Sequence, residues 1–324
     1  MQANIISTND LADQLVRKKS LIAIFMYLIA LIPVHAADSH KASNLTQSQK
    51  LIHEKQGKRE WQQQMSGKTD DLSNQKLPVG VNRDELSVLL FGKTPAELKK
   101  SSEIKFLGAH QFPGRDGLFI GAGSISKKLR DSHYSEIQLC VFKLVPSQKP
   151  VLVAKTSRPL ISSRDTMNPL DEAAAKAASD TLDFEDLQAF DLATFQISPT
   201  QFAFGLRTGL HEGYAGGIGL LEYLHLFVAD GTKIKPVFGS LVYDFQNLAG
   251  DWHKDGTRER FVYEDKYVLS ISKQLHVGHY DLQLRQVKGG KQSCRYAWDK
   301  ESDAYLPVDK EPTEYYASEH SSGH

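Results

Sequence analysis

Short apolar runs separated by turn signals recur from Ile104 to Val308, and this spacing constrains the fold more than any other feature of the chain. Such runs, bounded by Gly, Asp or Asn, read as β-strands, and a series of them reads as antiparallel meanders. Three stretches share one layout of strand, loop, strand, short turn, strand. The first covers residues 117–125, 136–145 and 150–156, and the second covers 201–208, 223–228 and 234–243. The third covers 261–271, 280–287 and 293–298, followed by 304–308. Asp230-Gly231 between two apolar runs predicts a tight hairpin, and Gly289-Gly290 predicts another. The expected fold is mainly β: antiparallel meanders forming a sandwich or a small propeller-like assembly, behind a short N-terminal helical leader.

Alternation also predicts burial. Tyr280, Leu282 and Leu284 share one face of a strand, with Asp281, Gln283 and Arg285 on the other, the pattern of a half-exposed strand. Leu139, Cys140, Val141, Phe142 and Leu144 are apolar on both faces, which places that strand centrally. Ahead of the β-region, Asn82 can cap a helix running through Leu86, Leu89 and Leu90 to Gly92. Thr94 and Glu97 have capping-box spacing, and Pro95 fills the first helical position, where its missing N–H costs nothing. An Ala-rich stretch over residues 169–180 reads as an inserted helical connector.

The first residues predict export. Arg17-Lys18-Lys19 precede an apolar run over residues 21–32, Pro33 breaks it, and Val34-His35-Ala36 supplies small residues at the positions a signal peptidase reads. The run is shorter than the ~20 residues a spanning helix needs, so residues 1–36 read as a cleaved signal peptide and not as an anchor. The expected compartment is the periplasm, with no transmembrane anchoring after cleavage. Residues 37–80 then read as a flexible polar leader with a weak helix, 81–308 as the β-domain, and 309–324 as a disordered tail. Without residues 1–36, Lys plus Arg falls from 39 to 36 and Asp plus Glu from 39 to 37, so the mature chain is near neutral. That balance argues against a nucleic-acid or polyanion surface.

Cys140 and Cys294 both lie in the exported part, where an oxidising compartment permits one disulfide. The bond would close a loop of about 155 residues, which the chain-entropy model values at on the order of 4–5 kcal/mol. Two separate buried thiols are the other reading.

Motifs for catalysis are scarce. Ser-x-x-Lys occurs at Ser73, Ser102, Ser124 and Ser270, and four matches in one chain show how cheap the pattern is. Its companion elements in penicillin-recognising enzymes are absent, as are a nucleophile elbow, a His-Glu-x-x-His helix and a phosphate loop. No cofactor is implied.

Histidine and tyrosine are more informative. The connection between the first and second strands carries both in every unit: His133 and Tyr134; His211, Glu212 and Tyr214; His276, His279 and Tyr280. Equivalent loops of a repetitive assembly would leave one edge and form a shared rim suited to binding. His133, His211 and His276 would have to converge there to hold a metal. Three functions compete on this reading. The leading one is a periplasmic protein-binding or inhibitory protein, for example an immunity-type protein that neutralises a toxin delivered to the periplasm. Its partner would be another protein of the cell envelope. The alternatives are an envelope hydrolase, metal-dependent through loop histidines, and an envelope scaffold or assembly factor working through the leader.

Overall fold

The computed structural model of the protein describes residues 40–42, 50–52, 58, 77–100, 102–129, 132–162, 186–214, 217–287 and 293–309. Residues from Lys41 onward form one compact unit. The expected signal peptide, the Ala-rich connector, the Gly289-Gly290 turn and the tail beyond Asp309 lie outside the described residues.

Two short helices precede most of the β-structure: α1 (Arg83–Phe91) and α2 (Pro95–Leu98). Their ends follow the sequence signals. The Asn82 side chain accepts from the Glu85 N–H at 2.8 Å, Gly92 closes α1 at φ 70°, and Thr94 and Glu97 form the capping box of α2. The strands are β1 (His40–Ala42), β2 (Glu103–Gln111), β3 (Leu118–Leu129), β4 (Ser132–Lys143), β5 (Val151–Thr156), β6 (Leu160–Ser162) and β7 (Asp186–Gln196). They continue with β8 (Phe202–Tyr214), β9 (Gly217–Asp230), β10 (Lys233–Trp252), β11 (Arg258–His276), β12 (His279–Gln286), β13 (Ser293–Asp299) and β14 (Ala304–Pro307). The mainly-β expectation is met, and all these strands belong to one connected, mostly antiparallel open sheet.

The sheet forks at β10. One edge of β10 pairs with β9 from Lys233 to Leu248. The other edge is shared: Lys233 and Ile234 lie parallel to Lys155 and Thr156 of β5, while Tyr243–Trp252 lie antiparallel to β11. From the fork, one path runs through β5, β4 and β3 to β2, another through β9 and β8 to β7, and a third through β11, β12 and β13 to β14.

The fork gives the molecule two main cores. Phe106, Ile120, Leu139, Val141, Phe204 and Phe227 meet in one, inside the curl of β2–β5 and β7–β9. Leu224, Leu226, Val237, Leu282, Leu284, Tyr296 and Trp298 meet in the other, between β9–β10 and β11–β14. Neighbouring residues of β9 therefore feed different cores, which is why Leu226, Phe227 and Val228 are apolar and buried in succession. Each fully buried Leu or Phe contributes roughly 2 kcal/mol. Edge strands β2 and β7 approach each other through Phe190, whose ring centroid lies 6.0 Å from Phe106 and 6.4 Å from His110. In β7 the ladder breaks between Asp191 and Phe195, and that irregularity blunts the edge against further pairing.

On the outer side of β2–β4, α1 sets Leu86 and Leu90 against Leu107, Cys140 and Phe142. Gly121 makes this approach possible, because a Cβ there would stand 2.7 Å from the Cys140 Sγ and 2.8 Å from a Leu86 methyl. Strand β4 is thus covered on both faces, as its unbroken apolar run predicts.

Four expectations are corrected. Cys140 and Cys294 are buried thiols that form no disulfide with each other. One belongs to the core beneath α1 and the other to the β11–β14 core, and five strand-to-strand steps separate β4 from β13 in the sheet. At about 4.8 Å per step that is far beyond the ~7 Å limit between bridged Cα atoms. The leader does not stay wholly outside the core: Ile52 is 1% exposed, packed with Ile218, Leu220, Tyr243, Phe245 and Val262. Asp281, expected on a solvated face, is fully buried, with Arg295 Nη1 3.5 Å from its Oδ2. The three meanders also do not repeat in space. A tight turn joins β10 to β11, so the third unit starts in the direction opposite to the first two.

Candidate functional site

Strand directions sort the turns into two ends. Taking Lys233 as the lower end of β10 and Trp252 as the upper, β4 and β9 run downward, since both run antiparallel to β10 or to its parallel neighbour β5. By register β8 ends near the upper end, Tyr214 being level with Leu248 through Gly217, close to the β10–β11 turn. Strand β4 starts lower: Cys140 is level with Lys233 through Lys155, so His133, seven residues up, is level with Ser240, twelve residues short of Trp252. The β11–β12 turn is at the lower end.

The expected rim is split by this arrangement. His211, Glu212 and Tyr214 at the end of β8 lie toward the upper end, whereas His133 and Tyr134 at the start of β4 stand about halfway along β10. His276 and His279 flank the lower turn. His211 is level with Phe245 through Leu220, whereas His276 follows Glu264, the partner of Phe245, by twelve residues. That is about 40 Å of extended strand. His133, His211 and His276 therefore cannot share a metal, whose ligands must all stand within about 2 Å of it. Among the described residues no group of three or more His, Cys, Asp or Glu is placed to hold one.

On β4, Tyr134 donates to Glu136 Oε1 at 3.3 Å, and Lys127 pairs with the same carboxylate at 2.6 Å. Burial and the Glu136 charge push the Tyr134 hydroxyl up to about 12, so it remains a hydrogen-bond donor. At the upper end, Trp252 is 69% exposed at the tip of the β10–β11 hairpin. Arg258 sits 5.2 Å from its ring centroid and donates from Nε to the Gly250 carbonyl at 2.9 Å, which fixes the guanidinium over the indole. The segment Asp251-Trp252-His253-Lys254-Asp255 marks this tip in the sequence, but the partnership with Arg258 depends on hairpin register.

At the lower end the turns after β2, β7, β9 and β11 surround a cavity of about 600 Å³. Phe112, Leu118, Val141, Val153, Phe202 and Ala229 line it, with Arg115, Ser198, Thr200, Gln201, Gly231, Gly278 and His279 completing the wall. His279 is thus a site residue, in different company from that expected. Its ring stacks on Trp298 with centroids 3.7 Å apart, and its Nε2 lies 3.3 Å from Gln201 Oε1. Arg115 stands 5.9 Å from the Phe202 ring centroid. Gly114 shapes this turn: it sits at φ +74°, and a Cβ there would lie 2.6 Å from the Phe202 ring. Arg115 and Gln201 escape sequence reasoning because they lie in unremarkable turns, one between β2 and β3 and one just before β8.

Two buried polar clusters lie away from both ends' tips. Arg207 donates to Asp191 from Nε at 2.9 Å and from Nη2 at 2.6 Å, and also pairs with Glu222. Asp244 and Asp265 face each other across β10 and β11. Neither cluster presents a nucleophile–base pair, and both lie within the ladders that build the fold. No family model matches this chain, and comparison with curated proteins and with solved structures gives no match.

Proposed function

We propose that the protein is exported to the periplasm and acts there as a binding or inhibitory protein, holding another envelope protein against its upper end. Export rests on the order of basic triplet, apolar run, Pro33 and Val34-His35-Ala36. The single observation that carries the binding reading is Trp252, exposed at the tip of the longest hairpin and backed by Arg258. Trp, Tyr and Arg dominate the energetically important positions of protein interfaces, because they offer large apolar area with a polar edge. The surface we propose also takes in His211, Glu212 and Tyr214, because β8 ends toward the tip of this hairpin. Neutralising a toxin delivered to the periplasm is one role such a protein would serve.

The test is a photo-crosslinking residue at position 252, with a second at Gly231 as the lower-end control. Cells producing the position-252 variant are expected to give one discrete adduct with a periplasmic protein, weakened by Arg258→Glu. The same adduct from both positions, or a chain that fractionates with the cytosol and keeps residues 1–36, would overturn the reading.

A further inference from the structure

The lower cavity has its own chemistry, separate from the upper end. Its floor is apolar: Phe112, Val141, Val153 and Ala229 belong to the β2–β5/β7–β9 core or pack against it, so the cavity opens on the end of that core. Its polar groups are mostly donors. Arg115 brings a guanidinium that is always charged. Gln201 sets its side-chain amide 3.3 Å from His279 Nε2 and adds a group that both donates and accepts. Thr200 adds a hydroxyl, and the Ser198 hydroxyl is occupied in accepting from the Thr200 and Gln201 N–H groups. Among the described residues no acidic side chain lines the cavity. Small-molecule sites have this composition: an apolar cleft of several hundred Å³ with a few converging polar groups, often at the mouth of a curled sheet.

We infer that the lower cavity binds a single-chain anionic amphiphile, its apolar chain on the Phe112–Val141–Val153 floor and its carboxylate on Arg115 and Gln201. A cation would meet Arg115 unopposed, and a wholly polar ligand would leave the apolar floor wet. The size agrees. At about 30 Å³ for each solvent-sized group, the cavity volume of about 600 Å³ holds on the order of twenty heavy atoms.

Dodecanoate below its micelle concentration is the probe, followed by calorimetry and by the fluorescence of Trp298, which stacks on His279 at the cavity wall. Saturable binding of one molecule per chain is expected. Dodecyltrimethylammonium should not bind measurably. Arg115→Gln should weaken dodecanoate about tenfold while leaving the melting temperature unchanged, since the side chain is exposed and one charge-assisted contact is lost. Val153→Phe, which fills the floor, should abolish binding, and circular dichroism and melting would show that this variant is folded. Equal binding of the anionic and cationic probes would overturn the inference, as would an Arg115→Gln variant of unchanged affinity. A third overturning result is a peptide with an apolar C-terminal residue and free carboxylate that binds where dodecanoate does not.

Discussion

Asp244 and Asp265 stand directly opposite each other in the β10–β11 ladder, and both are buried. Two like charges in that position destabilise a sheet unless one is neutral. The donors decide which. Tyr263 and Gln286 both donate to Asp265, the latter at 2.8 Å, whereas Asp244 receives Gln246 at 3.2 Å. Burial pushes the Asp244 carboxyl up to about 7, and the Asp265 charge pushes in the same direction.

Asp244 therefore holds its proton more tightly in the folded chain than in the unfolded one, where a carboxyl titrates near 4. The stability gained from this is complete below the unfolded value and is lost as pH rises through about 7. We expect unfolding free energy to fall by on the order of 2–3 kcal/mol between about pH 5 and pH 8. Asp244→Asn should flatten that slope. Denaturant titrations of both chains at the two pH values check it, and an unchanged slope in the variant would refute the assignment.

Arg207 ties β7 to β9 across β8 by pairing with Asp191 and Glu222, whose side chains are 11% and 5% exposed. Removing one member of a buried ionic cluster leaves charge behind in a poorly solvated site. Arg207→Met should cost about 3 kcal/mol, and adding Glu222→Gln should restore part of it. Urea midpoints of the single and double variants give the coupling. Simple additivity would mean that the cluster does not act as a unit.

Ile52 makes the leader part of the fold. Truncating a fully buried Ile in a packed cluster costs about 2–5 kcal/mol, so Ile52→Ala should lower stability by that order. A fall in melting temperature of several degrees is the expected reading. No change would mean that the leader detaches without consequence.

Cys140 is buried beside Lys155 on the neighbouring strand, and burial pushes its thiol up to about 12. It should resist thiol reagents in the native protein, because the reactive thiolate is scarce and shielded. Denatured, unreduced protein should expose two labelled thiols, Cys140 and Cys294. Mass spectrometry that finds none labelled would place a bond where the fold keeps the two apart.

The strands, the caps of α1 and α2 and the Asp230-Gly231 hairpin were legible because each is written within a few neighbouring residues. Asn82, Gly92 and Thr94 act on backbone groups three or four positions away. What escaped was relative direction. Whether His276 lies beside His211 or at the other end of the sheet depends on how many times the chain reverses between them, and the β10–β11 turn adds the deciding reversal. Burial of Asp281 was hidden for a related reason, since alternation along β12 says which residues share a face but not what covers it. Arg115 meets Phe202 only because β2–β3 and β7–β8 end together.

Strand β9 gives Leu224, Leu226 and Val228 to one core and Phe227 to the other. Neither core can open without stripping a wall from its neighbour, so partly unfolded forms that keep one core intact are costly. Chains of this size commonly unfold through populated intermediates. The shared strand predicts the reverse here, a single transition in which fluorescence, circular dichroism and heat capacity change together. It also implies that the slowest-exchanging amides cluster in β9 and the adjoining part of β10, where protection would report the global opening of the whole domain.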